Sequence, residues 1–394
     1  MCRNSRHLLA ICGILLVAGC GGGGGGSSSS STSTTSTDPY TGTCGIGTAV
    51  YALAAGSKAL TSPSFTITAE ADRTAFCAMN SGTSITLVTP TIDSSATSSS
   101  ATDSALYGLG AAVLAYGSSA TSTTGGAITV SGGTISTTTD SANGAVASGK
   151  GATITLASVD VYTTGAAAHP VVAAKAGTAT ITGSTTLTST AAEVVVLEGA
   201  GTATITSSTL VAANANDERG VYIYGSTTSS SGASTLTMSG SSYVWSSSSS
   251  SASAFYVHNQ ITTINLTGVT IVNPAVSALL RVTGGSAGSV VTLNAVSQTL
   301  AGDIIADADS SVALSLTSTS SLSGAINTAA TAGSITVTLD TGSTWAPTGT
   351  SHVTELNATT ANFGSTAYTV YYRSSTTGLS GNHLLTGGGQ LIQY

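Results

Sequence analysis

Three features of the sequence predict an all-β protein, a right-handed parallel β-helix (solenoid) with an N-terminal cap. Charged residues make up only 6% of the 394 residues, whereas 41% are hydrophobic. Short aliphatic segments alternate with Thr and Ser, which is the pattern of half-buried strands. These segments recur at the length of a whole coil, and not at the roughly 8–12-residue turn spacing of a β-sandwich.

A recurring strand segment gives the period of the predicted coil. When each segment is anchored on its central aliphatic residue, successive anchors are 23 to 31 residues apart. Each interval holds two further apolar runs. The second of them is at 144–147 in one interval and at 171–174 in the next. Three short strands per unit suit a triangular coil whose rungs stack about 4.8 Å apart. The anchors are Ile128, Ile154, Ile181, Ile205, Leu236, Ile264, Val291, Leu314 and Val337.

The first 19 residues predict a lipoprotein signal peptide. Arg3 and Arg6 precede an apolar stretch at 8–17, which is too short to span a bilayer and is typical of an export signal. The following Val-Ala-Gly-Cys at 17–20 resembles the bacterial lipobox, whose cysteine is acylated. An ordinary secretory signal, with Cys20 incidental, is the alternative.

The segment 20–38 predicts a lipidated cysteine followed by a flexible linker. Six glycines follow Cys20, and only Ser and Thr occupy 27–37, a composition without helix or strand preference. Gly21, where Asp would signal inner-membrane retention in enterobacterial lipoproteins, favours the outer membrane by that resemblance. We expect a lipid-anchored outer-membrane protein, exposed at the cell surface, whose first partner is membrane lipid.

Two cysteines remain after removal of the leader and acylation of Cys20. Cys44 and Cys77 form an even pair in an oxidising compartment, so the sequence predicts a disulfide between them. Metal binding is the weaker alternative because no His or further Cys lies nearby. We assign 39–84 to an N-terminal cap that contains this pair and 85–394 to the β-helix.

The charge distribution excludes some classes of partner and predicts no cofactor. The net charge is −7, and loss of the two leader arginines makes it −9. The remaining basic residues are scattered singly, which argues against nucleic-acid binding. The histidines follow no metal-ligand spacing, so we expect neither a metal site nor a catalytic set.

An aromatic group is the best candidate for a binding surface. Exposed aromatic side chains would suit sugar rings or a protein partner. The alternative is that they stack inside neighbouring rungs. The group comprises Tyr222, Tyr224, Tyr243, Trp245 and Tyr256.

A weak polar cluster lies just before these aromatic residues. It consists of Asp217, Glu218 and Arg219, and it is either a solvated turn or one wall of a carbohydrate groove. A polysaccharide hydrolase would need two carboxylates several ångströms apart, and a lyase a base facing an anionic sugar.

The C-terminal region resembles the last coils of pertactin-like autotransporter passenger domains. The residues that carry the resemblance are the Gly-Ser-Thr-Trp element ending at Trp345, the Thr-Gly-Thr-Ser turn at 348–351 and the Leu-Ser-Gly step at 379–381. Autotransporters continue into a membrane β-barrel, for which this sequence shows no strand pattern. The resemblance therefore implies a β-helical rod, with the lipid at Cys20 replacing the barrel as attachment.

These observations predict a non-enzymatic, lipid-anchored envelope protein that is adhesin-like or structural. Its further partners would be a glycan or a protein on a host or neighbouring cell. The alternative is a carbohydrate-active β-helix enzyme, or a glycan-binding descendant of one. A low-complexity surface filler with little defined structure is a weaker third possibility.

Overall fold

The computed structural model describes residues 41–213, 219–226, 232–247, 249, 251–272, 278–285 and 288–394. Within these ranges the chain is a parallel β-helix, which confirms the predicted all-β solenoid.

The strands are short, and most have the alternating burial expected of a sheet with one face in the core. The first coils contain β1 (Gly42–Cys44), β2 (Gly47–Leu53), β3 (Ser57–Thr61), β4 (Ser64–Ile67), β5 (Arg73–Met79), β6 (Ser84–Val88), β7 (Thr91–Ser94), the helix α1 (Ala101–Tyr107) and β8 (Val113–Tyr116). The next coils contain β9 (Ala127–Ser131), β10 (Thr134–Thr137), β11 (Ala145–Ser148), β12 (Thr153–Ala157), β13 (Asp160–Thr163), β14 (Val171–Ala174), β15 (Thr178–Thr182), β16 (Thr186–Ser189), β17 (Val195–Glu198), β18 (Thr202–Thr206), β19 (Thr209–Ala213) and β20 (Arg219–Tyr224).

The remaining coils continue the same order. They contain β21 (Ser234–Ser239), β22 (Ser242–Ser246), β23 (Ser253–His258), β24 (Ile261–Thr267), β25 (Thr270–Val272), β26 (Ala278–Thr283), β27 (Val290–Val296), β28 (Thr299–Ala301), β29 (Asp303–Ala306), β30 (Ser311–Thr317), β31 (Ser321–Ser323), β32 (Ser334–Leu339), β33 (Thr344–Ala346), β34 (Ser351–Asn357), a 3₁₀ turn (Thr360–Asn362), β35 (Thr369–Ser374), β36 (His383–Leu384) and β37 (Gln390–Gln393).

Three walls enclose one hydrophobic core. Sheet 1 has 11 strands in the order β1-β2-β5-β8-β11-β14-β17-β20-β23-β26-β29. Sheet 2 has 15 strands, β3-β6-β9-β12-β15-β18-β21-β24-β27-β30-β32-β34-β35-β37-β36, and sheet 3 has eight, β4-β7-β10-β13-β16-β19-β22-β25. A three-stranded sheet, β28-β31-β33, begins beside β25. The chain contributes one strand to each wall in turn, which is the three-strand coil that the period predicts.

The register shifts the predicted anchors by two residues at four of the eight steps between them, while preserving the face. Ile154 pairs with Ala179, and it is Leu156 that pairs with Ile181. At a later coil Ile264 pairs with Leu293, so that Val291 is likewise one step of two residues away from the expected partner. Because side chains alternate with a period of two, each of these residues still faces the core.

At each end of the β-helix an antiparallel strand pairs with the edge of one wall. At the N-terminal end β1 pairs with β2, and at the C-terminal end β36 pairs with β37. Such strands occupy edges that would otherwise offer free backbone groups to another chain.

The segment 39–84, which we assigned to a cap, also supplies parallel coils. β2, β3 and β4 already pair with strands of the next coil in parallel. The cap in the strict sense is β1, and Cys44 on β1 forms a disulfide with Cys77 on β5.

The short helix α1 begins within the Ser-rich segment 94–104. The Ser100 side chain accepts a hydrogen bond from the Asp103 amide at 3.1 Å, and Gly108 ends the helix with a φ of 73°. Ser and Gly are the residues preferred at these two positions. The helix is tied to sheet 1, where Ser148 Oγ donates to the Leu106 carbonyl at 2.6 Å.

Candidate functional site

The candidate site lies on the outer face of sheet 1, where two ladders of outward-facing residues run across the strands. Their inward neighbours on each strand form the main core. The first ladder is Cys77, Leu114, Val146, Val172, Val196, Tyr222, Tyr256 and Arg281. The second is Met79, Tyr116, Ser148, Ala174, Glu198, Tyr224, His258 and Thr283.

The first part of this face, from β5 to β17, is covered, and we call it the covered half. Cys77, Val146 and Val172 are fully buried although they point away from the main core. They belong to a second hydrophobic cluster outside the coil. The cover consists of β1 with its disulfide and of α1, whose Tyr107 ring lies 4.0 Å from the Lys175 ammonium.

The second part, from β20 to β29, lies beyond this cover, and we call it the open half. Tyr222, Tyr224, Tyr256 and His258 are all partly exposed. Tyrosine and arginine are enriched at binding interfaces because they combine a large contact area with polar groups. The open half is therefore the part of sheet 1 that can meet a partner.

The rings of the open half pack against one another and against Arg219. Tyr222 and Tyr224 stack with centroids 4.6 Å apart and an interplanar angle of 12°. The Arg219 guanidinium lies 4.2 Å from the Tyr222 centroid and 5.9 Å from that of Tyr256. Tyr256 is also partly exposed, so its ring is available to a ligand beside this stack.

A buried polar ladder supports Arg219 from below. Five residues occupy equivalent positions on adjacent coils, each two residues before the first core-facing residue of its sheet 1 strand. They are Asn143, His169, Glu193, Arg219 and Ser253. Glu193 is only 3% exposed, and its carboxylate lies 2.7 Å from Arg219 Nε and 3.3 Å from His169 Nδ1. Such a carboxylate is tolerated in the interior because it is paired.

A second buried carboxylate lies at the opposite end of β17. Glu198 is fully buried, and its Oε1 accepts hydrogen bonds from the Ser226 hydroxyl at 2.5 Å and the Ser226 amide at 3.3 Å. Glu193 lies two residues before β17, and Glu198 is the last residue of that strand. Each is held by its own partners at its own edge of the sheet.

Burial raises the pKa values of Tyr222 and Tyr224 in the open half. Burial, with Tyr256 and Glu193 adding to it and Arg219 opposing, raises the pKa of Tyr222 to about 12. Burial and the Glu198 carboxylate also raise the pKa of Tyr224. These tyrosines are therefore neutral at physiological pH and act as hydrogen-bonding groups.

His258 and Arg281 extend the open half toward the C-terminal coils. Burial lowers the pKa of His258, and Asp307 opposes that shift. The Nδ1 of His258 lies 3.0 Å from the Thr283 hydroxyl, which also lies 3.0 Å from the Tyr256 hydroxyl. Arg281 Nε donates to the Ser251 carbonyl at 3.1 Å. These bonds fix the ring of Tyr256 and the guanidinium of Arg281 on one surface.

The structure divides the predicted aromatic group between the surface and the interior. Tyr222, Tyr224 and Tyr256 lie on the outer face of sheet 1. Tyr243 and Trp245 face the core and are 0% and 3% exposed. Their assignment to a binding surface is therefore wrong. They lie on β22 at the positions of the alternating strand that point inward, where Tyr243 Oη donates to the Ala254 carbonyl.

The predicted polar cluster can be placed only in part. Arg219 begins β20 and belongs to the buried ladder rather than to a solvated turn. Asp217, Glu218 and the lipidation candidate Cys20 lie outside the described residues. Sequence reasoning missed Glu193, His169 and Glu198, although the shared position of His169, Glu193 and Arg219 just before an apolar strand run was a usable signal.

Searches for related proteins and for metal or membrane features add no further assignment. No protein-family model, no curated protein and no solved structure matches the chain. Within the described residues, no cluster of three or more His, Cys, Asp or Glu side chains could hold a metal ion. Helices long and apolar enough to cross a membrane are likewise lacking in the described part of the chain.

Proposed function

We propose that this protein is a lipid-anchored, cell-surface β-helix protein with an adhesin-like, non-enzymatic role. The observation that carries the proposal is the open half of sheet 1. Its outward tyrosines and arginines are partly exposed, whereas the outward residues of the covered half are mostly buried. Its partner would be a glycan or a protein on a host or neighbouring cell.

The anchor part of the proposal is supported by the N-terminal sequence. A short apolar signal, the lipobox ending at Cys20 and a Gly/Ser/Thr linker are the parts that an outer-membrane lipoprotein needs. A thioether-linked diacylglycerol and an amide-linked chain bury enough methylenes for stable anchoring, at about 0.8 kcal/mol each. The pertactin-like order of residues around Trp345 supports a surface rod by resemblance.

The electrostatics of the open half favour an uncharged glycan or a protein over a polyanion. Arg219 is neutralised by Glu193, and the carboxylates of Glu198 and Asp307 add negative charge beside Tyr224 and His258. A protein with a mature charge of −9 would also repel a polyanion at long range.

The carbohydrate-active alternative is less well supported by the geometry. Paired-carboxylate hydrolysis needs carboxyl groups roughly 5–9.5 Å apart and open to a substrate. Glu193 and Glu198 are buried, engaged with separate partners and positioned at opposite ends of β17. A glycan-binding role without hydrolysis would use the same surface as the proposed adhesin.

The first experiment compares wild-type cells with a Cys20→Ala strain, using protease treatment of intact cells and detection of the C-terminal coils. We expect the wild-type protein to fractionate with membranes and to be removed by the protease. We expect the Cys20→Ala protein to leave the membrane fraction. Protection of the wild-type protein would place it inside the envelope and would contradict a surface role.

The binding face is tested with Tyr256→Ala and Arg281→Ala in assays on glycan arrays and on whole cells. Tyr162→Ala is the matched control, since Tyr162 is exposed on sheet 3. We expect the two open-half variants, but not the control, to lose binding. Equal behaviour of all three variants would contradict the assignment of this face, and release of reducing sugar by the wild type would contradict a non-enzymatic role.

A further inference from the structure

We propose that the outer face of sheet 2 between β9 and β24 binds ice, through a two-dimensional lattice of threonine side chains. This proposal concerns a different wall from the open half of sheet 1 and does not rest on the proposed function. It assigns a ligand of definite chemistry, crystalline water, to a surface whose strands keep one register.

The lattice follows from the strand register. Outward residues of successive sheet 2 strands pair with one another without a register shift from β9 to β24. One row is Thr153, Thr178, Thr202, Thr235 and Thr263. The next row is Thr129, Thr155, Thr180, Thr204 and Thr237. A third row contains Thr182, Thr206, Ser239 and Thr267, with Ala157 as its exception.

The hydroxyls repeat in two directions, as the oxygen atoms on a face of an ice crystal do. Neighbouring rungs are about 4.8 Å apart and alternate residues on a strand about 6.6 Å apart. Repetition in two directions is what distinguishes a lattice from a single polar stripe. Several rungs in one register allow many hydroxyls to meet ice-lattice positions together.

The side chains are held in place, and hydroxyls on β15 and β18 remain available. Threonine has a branched Cβ, which restricts χ1, and the paired strands fix the backbone beneath it. Every outward threonine of β15 and β18 is partly exposed. In the described part of the chain, the hydroxyls of Thr178, Thr180 and Thr202 form no hydrogen bond with a protein group, so water is their partner.

The chemistry of the face favours ordered water over other flat partners. None of the outward residues of β9, β12, β15, β18 and β21 is charged or aromatic. A crystalline polysaccharide would call for aromatic rings to stack on sugars, and a second copy of the chain would call for large apolar side chains. By contrast, the outer face of sheet 3 carries Asp160 and Tyr162 at equivalent rungs.

The test measures how much of the purified Cys20→Ala protein, which lacks the acylation candidate, enters slowly growing ice. A non-binding cosolute protein in the same solution sets the background. We expect the parent protein to be enriched in the ice fraction. We expect Thr180→Tyr and Thr204→Tyr, which place a bulky ring in the middle of the lattice, to fall to the background.

Thr188→Tyr is the matched control, because Thr188 is equally half-exposed in the same coil but lies on sheet 3. It should enter ice as the parent protein does. The double variant Thr180→Val and Thr204→Val keeps the branched shape while removing two hydroxyls, so it tests the lattice even if a tyrosine variant fails to fold. We expect it to lose part of the ice-bound fraction at an unchanged melting temperature.

Three outcomes would overturn the proposal. The parent protein could remain at background in ice, or Thr188→Tyr could lose as much as Thr180→Tyr. Binding to powdered cellulose or chitin, or dimerisation, that Thr180→Tyr abolishes without any ice binding would assign the face to that other partner. Because these assays use protein without its lipid, their failure would leave the anchor and the open half of sheet 1 untouched.

Discussion

The covered half of sheet 1 buries both of its faces, whereas the open half buries only the face toward the core. In the covered half, β14 (Val-Val-Ala-Ala) has every residue buried, because the core lies on one face and the outer cluster on the other. In the open half, β20 alternates between buried Val221 and Ile223 and partly exposed Tyr222 and Tyr224. Continuous apolar strands thus mark sheet surfaces that something covers, and alternating strands mark surfaces left open.

The largest expected effect on stability comes from placing a carboxylate on the outer face of the covered half, compared with the same change in the open half. Val172→Asp would place an unpaired carboxylate beneath the outer cover, and we expect it to lower the unfolding free energy by more than about 4 kcal/mol. Ile305→Asp is the control in the open half, where the side chain is partly exposed, and should cost about 1 kcal/mol or less. Urea denaturation followed by circular dichroism measures both. Equal losses would mean that the cover does not exist in solution.

A smaller effect concerns the disulfide that anchors the cover. Cys44 and Cys77 are 33 residues apart, and replacing both with Ser should cost about 3–4 kcal/mol in the loop-entropy model. A reducing agent should destabilise the parent protein similarly and leave the double variant unchanged. A double variant as stable as the parent would show that β1 is held by packing alone.

The buried ion pair beneath the open half should contribute less than the disulfide. We expect Glu193→Gln, which leaves Arg219 without its carboxylate, to cost about 2–3 kcal/mol, since the pair is partly shielded from water. The pair of Glu70 and Arg73 is more exposed, so Glu70→Gln should cost about 1 kcal/mol or less. A double-mutant cycle with Arg219→Gln would isolate the coupling, and a cycle that gives no coupling would contradict the role of this ladder.

The smallest effect is a pH dependence confined to the open half. Folding lowers the pKa of His258 below its ordinary value of 6.5, so the native state binds fewer protons than the unfolded state. The stability linked to this group is complete above pH 6.5 and is lost as the pH falls through the lower, folded value. NMR titration of the ring and denaturation at neutral and mildly acidic pH should show the loss, which His258→Gln should remove. A His258 that titrates at or above its ordinary value would contradict the burial.

Much of the fold could be read from local patterns, but register could not. The alternation in Thr153–Ala157 shows which residues face the core, because the period of two is a property of any strand. It does not show that Ile154 meets Ala179 rather than Ile181, because a shift of two residues keeps the same face. Loop lengths and neighbouring turns decide that choice.

The candidate site was harder to predict than the fold. Tyr222, Tyr243 and Tyr256 form one group in the sequence, yet Tyr243 lies in the core while the other two lie outside. The sequence showed the alternation within each strand, but it did not show which of the two alternating sets of side chains faces the solvent. Glu193 was missed because an isolated acidic residue beside a strand resembles a solvated turn until its partners on the adjacent coils are known.

By itself the sequence determined that the chain forms three short strands per coil, that Cys44 can pair with Cys77 and that Thr and Ser occupy the outer walls. These follow from side-chain periodicity, cysteine count and composition, which act over a few residues or on the chain as a whole. Only the tertiary structure decided which rungs align, where α1 covers sheet 1 and how threonines 25 or so residues apart become neighbours. Those features depend on contacts between distant coils, and the stacking of one coil on the next sets them.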